Sequence, residues 1–317
     1  MKFSRTSFVM LAIATCACVA GAQGSAPTTG LQRLLDAELA RFPGKAGVYV
    51  KHLTTGEEAA VRGDELFNTA SVIKIPVLVL AMQMADKGQL NLADRVTLTA
   101  ADVRGGTGVF RLHDPGLQPT LRDVLTEMVI TSDNTATDVA IGKVGGTAVV
   151  NGWLVAGGYG GTMKLTMTTG ELFAKYAALP QGANRNEKTN GDRAYWLGEM
   201  TPRATGRMLE AIQRGVDGLP AGSPIASKAA STDMMRMFRG QQAGARRLPH
   251  FLTVPVAHKT GDFPPVLAND VGIIFTRSGP VVVAFFANAI EGPFAEAEDR
   301  IGRVAQLIVE YFDGVRP

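Results

Sequence analysis

The sequence predicts an α+β fold, an α/β sandwich. An antiparallel sheet of about five strands, drawn from both chain ends and flanked by helices, stands beside an all-helical lobe from the middle of the chain. Three observations predict it. Runs with strand character cluster at residues 46–61 and 254–287. Apolar spacing of helical period fills much of the chain between them. A helical pattern also borders each strand group, at 31–42 and 293–312. Residues 23–66 and 220–317 then form a sheet-plus-helix lobe and 67–219 the helical lobe, as one continuous domain. The cleft between the two lobes is the expected place for a site.

Residues 1–22 read as a secretory signal peptide. Lys2 and Arg5 precede an apolar run, and Ala20-Gly21-Ala22 fits a cleavage site before Gln23. The chain's 2 cysteines, Cys16 and Cys18, both fall inside it. Acylation of one of them, giving a lipoprotein, is poorly served by Thr15 and Ala17. The expected mature chain therefore has neither disulfides nor a thiol nucleophile. The formal charge of +3 loses Lys2 and Arg5 and becomes +1, which offers no nucleic-acid surface. The expectation is an exported, periplasmic protein, monomeric and free of the membrane after cleavage.

The elements follow in order. Residues 23–28 read as a disordered leader. Leu31, Leu34, Leu35, Leu39 and Phe42 keep helical spacing, and Pro43-Gly44 ends the helix. Residues 46–53 and 58–61 read as a hairpin turning through Thr54-Thr55-Gly56. Residues 69–85 form an apolar helix, and 90–116 a turn-rich stretch. Thr120, with Asp123 three residues on, caps the next helix. Another runs from Asn134 to Gly145-Gly146. Residues 157–198 read as loop around a short helix at 170–179. Thr201-Pro202 opens a helix to Gly215, and one further helix covers 231–238. Strands at 254–260, 271–276 and 281–287 precede a terminal helix from Pro293.

The chemistry centres on residues 69–85. This helix is apolar on nearly every face, as a buried helix is, yet its first turn carries Ser71 and Lys74. A buried lysine is costly unless it is paired or loses its proton. Three residues apart on a helix, the amine can take the hydroxyl's proton and make Ser71 a nucleophile. The bland alternative leaves Ser71 as a cap and Lys74 snorkelling outward. Ser132-Asp133-Asn134 lies between two helices of the middle lobe, and Lys259-Thr260-Gly261 ends the first late strand. Alone, each tripeptide is an ordinary turn or strand exit.

Together, in this order, the three motifs resemble those of the class A serine β-lactamases, within the wider family of serine β-lactamases and penicillin-binding proteins. The resemblance extends through Thr135-Ala136-Thr137, Gly145-Gly146, Met200-Thr201-Pro202-Arg203, His258 and Asn269-Asp270. It implies that Ser71 attacks a lactam or D-alanyl carbonyl to give an acyl-enzyme. Lys74 would be the base or its relay, and Ser132 would hand a proton to the departing nitrogen. Lys259 would hold Ser132, and with Thr260 of the Lys-Thr-Gly261 motif would receive the substrate's carboxylate. Asn134 would bond its side-chain amide, and the amides of Ser71 and Asp262 would form the oxyanion hole. Asp133 reads as a structural cap.

The same resemblance calls for a glutamate on the omega loop to activate the deacylating water. Its position falls near Thr168 or Thr169, and the neighbouring asparagine becomes Phe173. Glu171, Glu187 and Glu199 are the carboxylates available, with Glu171 the candidate base and Glu199 at the loop's neck. No histidine spacing supports a Ser-His-Asp triad or a zinc site, so no metal or cofactor is expected. No arginine stands out for the carboxylate; Arg277 sits in a hairpin turn. The expected activity is β-lactam hydrolysis. The alternative is a penicillin-binding or sensing protein, or a D,D-peptidase-like enzyme, that acylates and deacylates slowly.

Overall fold

The structure, a computed structural model, describes Met1, residues 29–218 and residues 225–314. The expected signal peptide with its two cysteines, Met1 apart, and the leader 23–28 lie outside the described residues.

Helix α1 (Gly30–Leu39) leads into the hairpin β1 (Lys45–His52) and β2 (Glu58–Val61). Strand β3 (Phe67–Asn68) precedes a 3-10 turn, Ala70–Ile73, that continues into α2 (Lys74–Asp86). Helices α3 (Leu121–Ile130), α4 (Asn134–Lys143) and α5 (Thr147–Ala156) follow. Then come β4 (Met163–Leu165), α6 (Thr169–Ala177), α7 (Arg185–Gly191) and β5 (Gly198–Met200). Helices α8 (Pro202–Asp217) and α9 (Lys228–Arg239) return the chain to β6 (Val256–Phe263), β7 (Leu267–Thr276), β8 (Gly279–Asn288) and α10 (Phe294–Phe312).

The main sheet is antiparallel, in the order β2-β1-β8-β7-β6. The early hairpin joins the late strands through β1 and β8, from Lys45 opposite Asn288 to His52 opposite Val281. Side chains alternate across it. Val48, Val50, Val283 and Phe285 pack with Leu31 and Leu35 of α1 and Ile301 and Ile308 of α10. Tyr49, Val282, Ala284 and Phe286 face the other core, which includes α2. This is the α+β arrangement that the strand clusters predict.

Helix α8 begins as its sequence dictates, with the Thr201 hydroxyl accepting from Ala204 N and proline in the first turn. The sequence reading carried the helical lobe to residue 219, but α8 packs on the sheet, against β1, β7 and β8. Gly206 makes the approach close: a Cβ there would lie 2.2 Å from the Tyr49 ring.

Three features depart from the sequence reading. A second sheet, β3-β5-β4, ties residues 67–68 to 163–165 and 198–200. Strands of two or three residues carry too little periodicity to be seen. Helix α7 occupies a stretch read as loop, and α5 fills residues 147–156, which the sequence reading leaves unassigned. The β-branched pair Val149-Val150 and the polar run of α7 each mask helical character. Finally, Lys259-Thr260-Gly261 lies inside β6, which runs on to Phe263, rather than at its end.

Candidate active site

Ser71 sits on the 3-10 turn and α2 begins only at Lys74, so the nucleophile candidate precedes the helix on which it was expected. Ala70 just before it has φ +41°, a conformation that persists where neighbours over-determine it. Three asparagines do so. Asn68 Oδ1 accepts from Ala70 N at 3.1 Å. Asn269 Nδ2 donates to the carbonyls of Asn68 and Thr69 at 2.9 and 3.0 Å. Asn68 N donates to Asn288 Oδ1 at 2.8 Å. The turn abuts β6 so closely that a Cβ on Gly261 would lie 2.2 Å from Thr69 O, which explains the glycine of the Lys-Thr-Gly motif.

Two fully buried lysines meet at the Ser132 hydroxyl. Lys74 Nζ donates to Ser132 O at 2.7 Å, to Asn134 Oδ1 at 3.0 Å and to Ser132 Oγ at 3.2 Å; none of these bonds goes to Ser71. Lys259 Nζ donates to the same Ser132 Oγ at 3.0 Å and to Thr260 O at 2.9 Å. Burial first, then the Lys259 charge, hold the Lys74 amine well below its ordinary pKa, so it is available as a base. Burial lowers Lys259 to about 8, against the pull of Asp262 and Asp270. Ser132, at φ +55°, is thus fixed between two amines and can pass a proton to or from either.

Asp133 is a cap. Its carboxylate accepts from Ala136 N at the start of α4 and from Phe110 N of a neighbouring 3-10 turn, each at 2.8 Å, while 1% exposed. Asp133→Ala is expected to cost about 1–3 kcal/mol, because two buried amides lose their acceptor. Urea denaturation checks it; a change within about 0.5 kcal/mol would deny the cap this weight.

Ser71, Ser132, Asn134 and Asp262 line one cavity of about 270 Å³. The part of its lining that comes from the omega segment is mostly apolar: Leu172, Phe173, Tyr176, Tyr195 and Leu197, with Thr169. Tyr176 stacks on Phe263 at 5.5 Å between ring centres. Glu171 does not fit the role of water activator. It is exposed and lies outside the cavity lining, and its carboxylate closes a capping box with Thr168 N at 2.7 Å. The spacing Thr168-x-x-Glu171 is itself the signal of that cap. Glu187 is also exposed, in the first turn of α7, and Glu199 is paired with Arg193. Thr169 holds the place instead, its hydroxyl donating to Asp138 Oδ1 at 2.7 Å and Asn134 O at 3.1 Å.

Sequence reasoning missed Arg247. Its side chain is 4% exposed and pairs with Asp262 and Glu298, while Nη1 donates to Asn269 O at 3.0 Å. It lies in a connection without regular structure, where no spacing distinguishes it. Beside it Thr260 Oγ1 is buried without a hydrogen-bond partner among the described residues. Arg277, in its hairpin, pairs with Asp313. No group of three or more His, Cys, Asp or Glu side chains suited to a metal occurs among the described residues.

Residues 29–312 match the sequence profile of the beta-lactamase enzyme family. The chain belongs to that family. Beta-lactamase VEB-1 of Pseudomonas aeruginosa is 22% identical over 97% of each chain. A beta-lactamase from Chitinophaga pinensis shares the fold with a TM-score of 0.77 and 24% identity, over 89% of this chain and 99% of that one. PBP-A, in the structure of a mutant solved as its acyl-enzyme complex with penicillin G, superposes at a TM-score of 0.72 with 23% identity, over 90% of this chain and 96% of that one. The fold of this family member is that of the class A β-lactamases.

Proposed function

We propose that this beta-lactamase family member is a serine hydrolase that opens β-lactam rings through an acyl-enzyme on Ser71. Lys74, neutral, takes the Ser71 proton as Oγ attacks the lactam carbonyl. Ser132 delivers a proton to the nitrogen as the C–N bond breaks. Lys259 orients Ser132, and the amides of Ser71 and Asp262 receive the developing oxyanion. The observation that carries this reading is the single Ser132 hydroxyl held between the two buried amines. The pattern of residues 1–22 supports periplasmic action, with a mature N-terminus at Gln23 that mass measurement of the exported protein checks.

The test mixes the purified protein with a chromogenic cephalosporin and follows turnover and protein mass together. Sustained hydrolysis with a transient adduct on Ser71 supports the reading; neither turnover nor adduct overturns it. The apolar omega wall favours a second reading. With Glu171 turned away, acylation outruns deacylation, as in a penicillin-binding, sensing or D,D-peptidase-like protein. A stable adduct without turnover is its expected result.

The lysines set the pH dependence. Acylation needs Lys74 neutral and Lys259 charged, so the rate should climb as Lys74 loses its proton and fall as pH rises past about 8, where Lys259 loses its own. Stopped-flow acylation rates across pH 5–10 check it; because the amines share Ser132, both limbs belong to the pair. A rate still rising well above pH 9 would remove the charge on Lys259 from the mechanism.

A further inference from the structure

One end of the cavity contains an arrangement that acyl transfer does not require. Asp262 follows the Lys259-Thr260-Gly261 motif on the edge strand β6 and lines the cavity with Ser71. Its backbone amide suffices for the oxyanion, yet its carboxylate turns to the buried Arg247 and pairs with it directly. Arg247 is already met from behind by Glu298, with Nε at 3.0 Å from Oε1. The groups converging here are therefore two cations, Lys259 and Arg247, and three carboxylates, Asp262, Glu298 and Asp270. Asp270 in turn accepts from Leu248 N at 3.1 Å and lies 2.8 Å from His258 Nδ1. A site built to attract an anion would leave one guanidinium face open. Here that face is closed by a carboxylate of the protein itself, 25% exposed toward the cavity.

We infer that Asp262 is a specificity-determining residue whose carboxylate, lining the cavity and paired with Arg247, sets a negative charge beside the Lys259-Thr260 end that an incoming carboxylate would use, so that the cleft favours acyl donors neutral at this end over anionic ones. The inference rests on the acyl-serine reading for its kinetic form. Physically it is charge complementarity in reverse: a fixed like charge at contact distance is worth tenfold or more against a competing anion. Burial ties Arg247 to three partners, so it cannot swing away to meet a ligand. Asp262, partly exposed and at the rim, is the member of the set whose removal opens the guanidinium without leaving a deeply buried charge alone, because Glu298 remains.

The test compares benzylpenicillin, which carries a free carboxylate, with its methyl ester. The readout is the second-order rate of Ser71 adduct formation by mass spectrometry. In the wild-type protein the ester should acylate at least as fast as the acid. Asp262→Asn, which keeps the backbone amide and the shape, should raise the ratio of the acid's rate to the ester's about tenfold. An unchanged ratio, as from equal changes for both compounds, would overturn the inference. Asp262→Ser serves as the second variant if melting shows that Asn perturbs folding. A separate readout needs no acylation. Phenylacetate binding, measured by calorimetry, should tighten about tenfold in Asp262→Asn, and an unchanged affinity would overturn the inference as well. If neither penicillin labels either protein, the acyl-serine reading falls, while the phenylacetate comparison still decides the role of Asp262.

Discussion

Ser71→Ala is expected to abolish covalent labelling by a penicillin, and Lys74→Met to slow it by about 10³–10⁴-fold. The two substitutions remove different parts of one event. Without the hydroxyl there is no acceptor for the acyl group. Without the amine the hydroxyl keeps its proton at neutral pH, and the residual rate comes from carbonyl polarisation and binding alone. Methionine approximates the lysine stem inside an apolar helix, so the chief loss is the amine with its polar contacts to Ser132 O, Ser132 Oγ and Asn134 Oδ1. Thermal melting separates lost chemistry from lost folding. Labelling of Ser71→Ala at the wild-type rate would place the nucleophile elsewhere. Lys74→Met within tenfold of wild type would transfer the base role to another group.

Thr169→Glu is expected to speed release of the acyl group by about 10²–10⁴-fold while leaving acylation within a few-fold. Thr169 lines the cavity from the omega side, and its backbone is already fixed there, with N donating to Asp138 Oδ1 at 2.7 Å. A carboxylate at this position would stand in the lining of the cavity that Ser71 also lines. Its neighbour Asp138 would raise its pKa, which suits a general base near neutrality. Decay of the adduct by mass, after removal of excess penicillin, measures the effect. Glu171→Gln is the contrast and should change release little, because that carboxylate serves Thr168 in the cap. Faster release in neither variant would mean that water reaches the acyl group by another route. A large loss on Glu171→Gln would restore that residue to the mechanism.

Much of this molecule is legible from residue order because its local signals agree with its packing. The hairpin turning at Gly56, the Thr201-Pro202 helix start and the Thr120 capping box all lie where their sequences place them. The three motifs converge because each carries its own chemistry in a short span. What escapes is set by distance. Asn68 and Asn288 look like ordinary polar residues until the fold brings them together across 220 positions. Arg247 becomes notable only when Asp262 closes over it. Ser71 precedes α2 because Ala70 adopts a left-handed conformation that no propensity for alanine foretells. The Glu171 reading followed a family register where the local rule, threonine three residues before glutamate, already described a helix cap.

The asparagine trio has a consequence for when the protein becomes reactive. The turn bearing Ser71 is held by Asn269 and Asn288, which leave the ribosome about two hundred residues after it. A nascent or truncated chain can carry the hydroxyl, the Lys74 amine and the Ser132 loop, yet the turn has nothing to hold it against β6. Contacts of such long separation form late in folding, after many loops have closed. Competence for acylation is therefore a report on completion: the nucleophile is armed by the last strands of the sheet, and an unfinished molecule does not expose a working site.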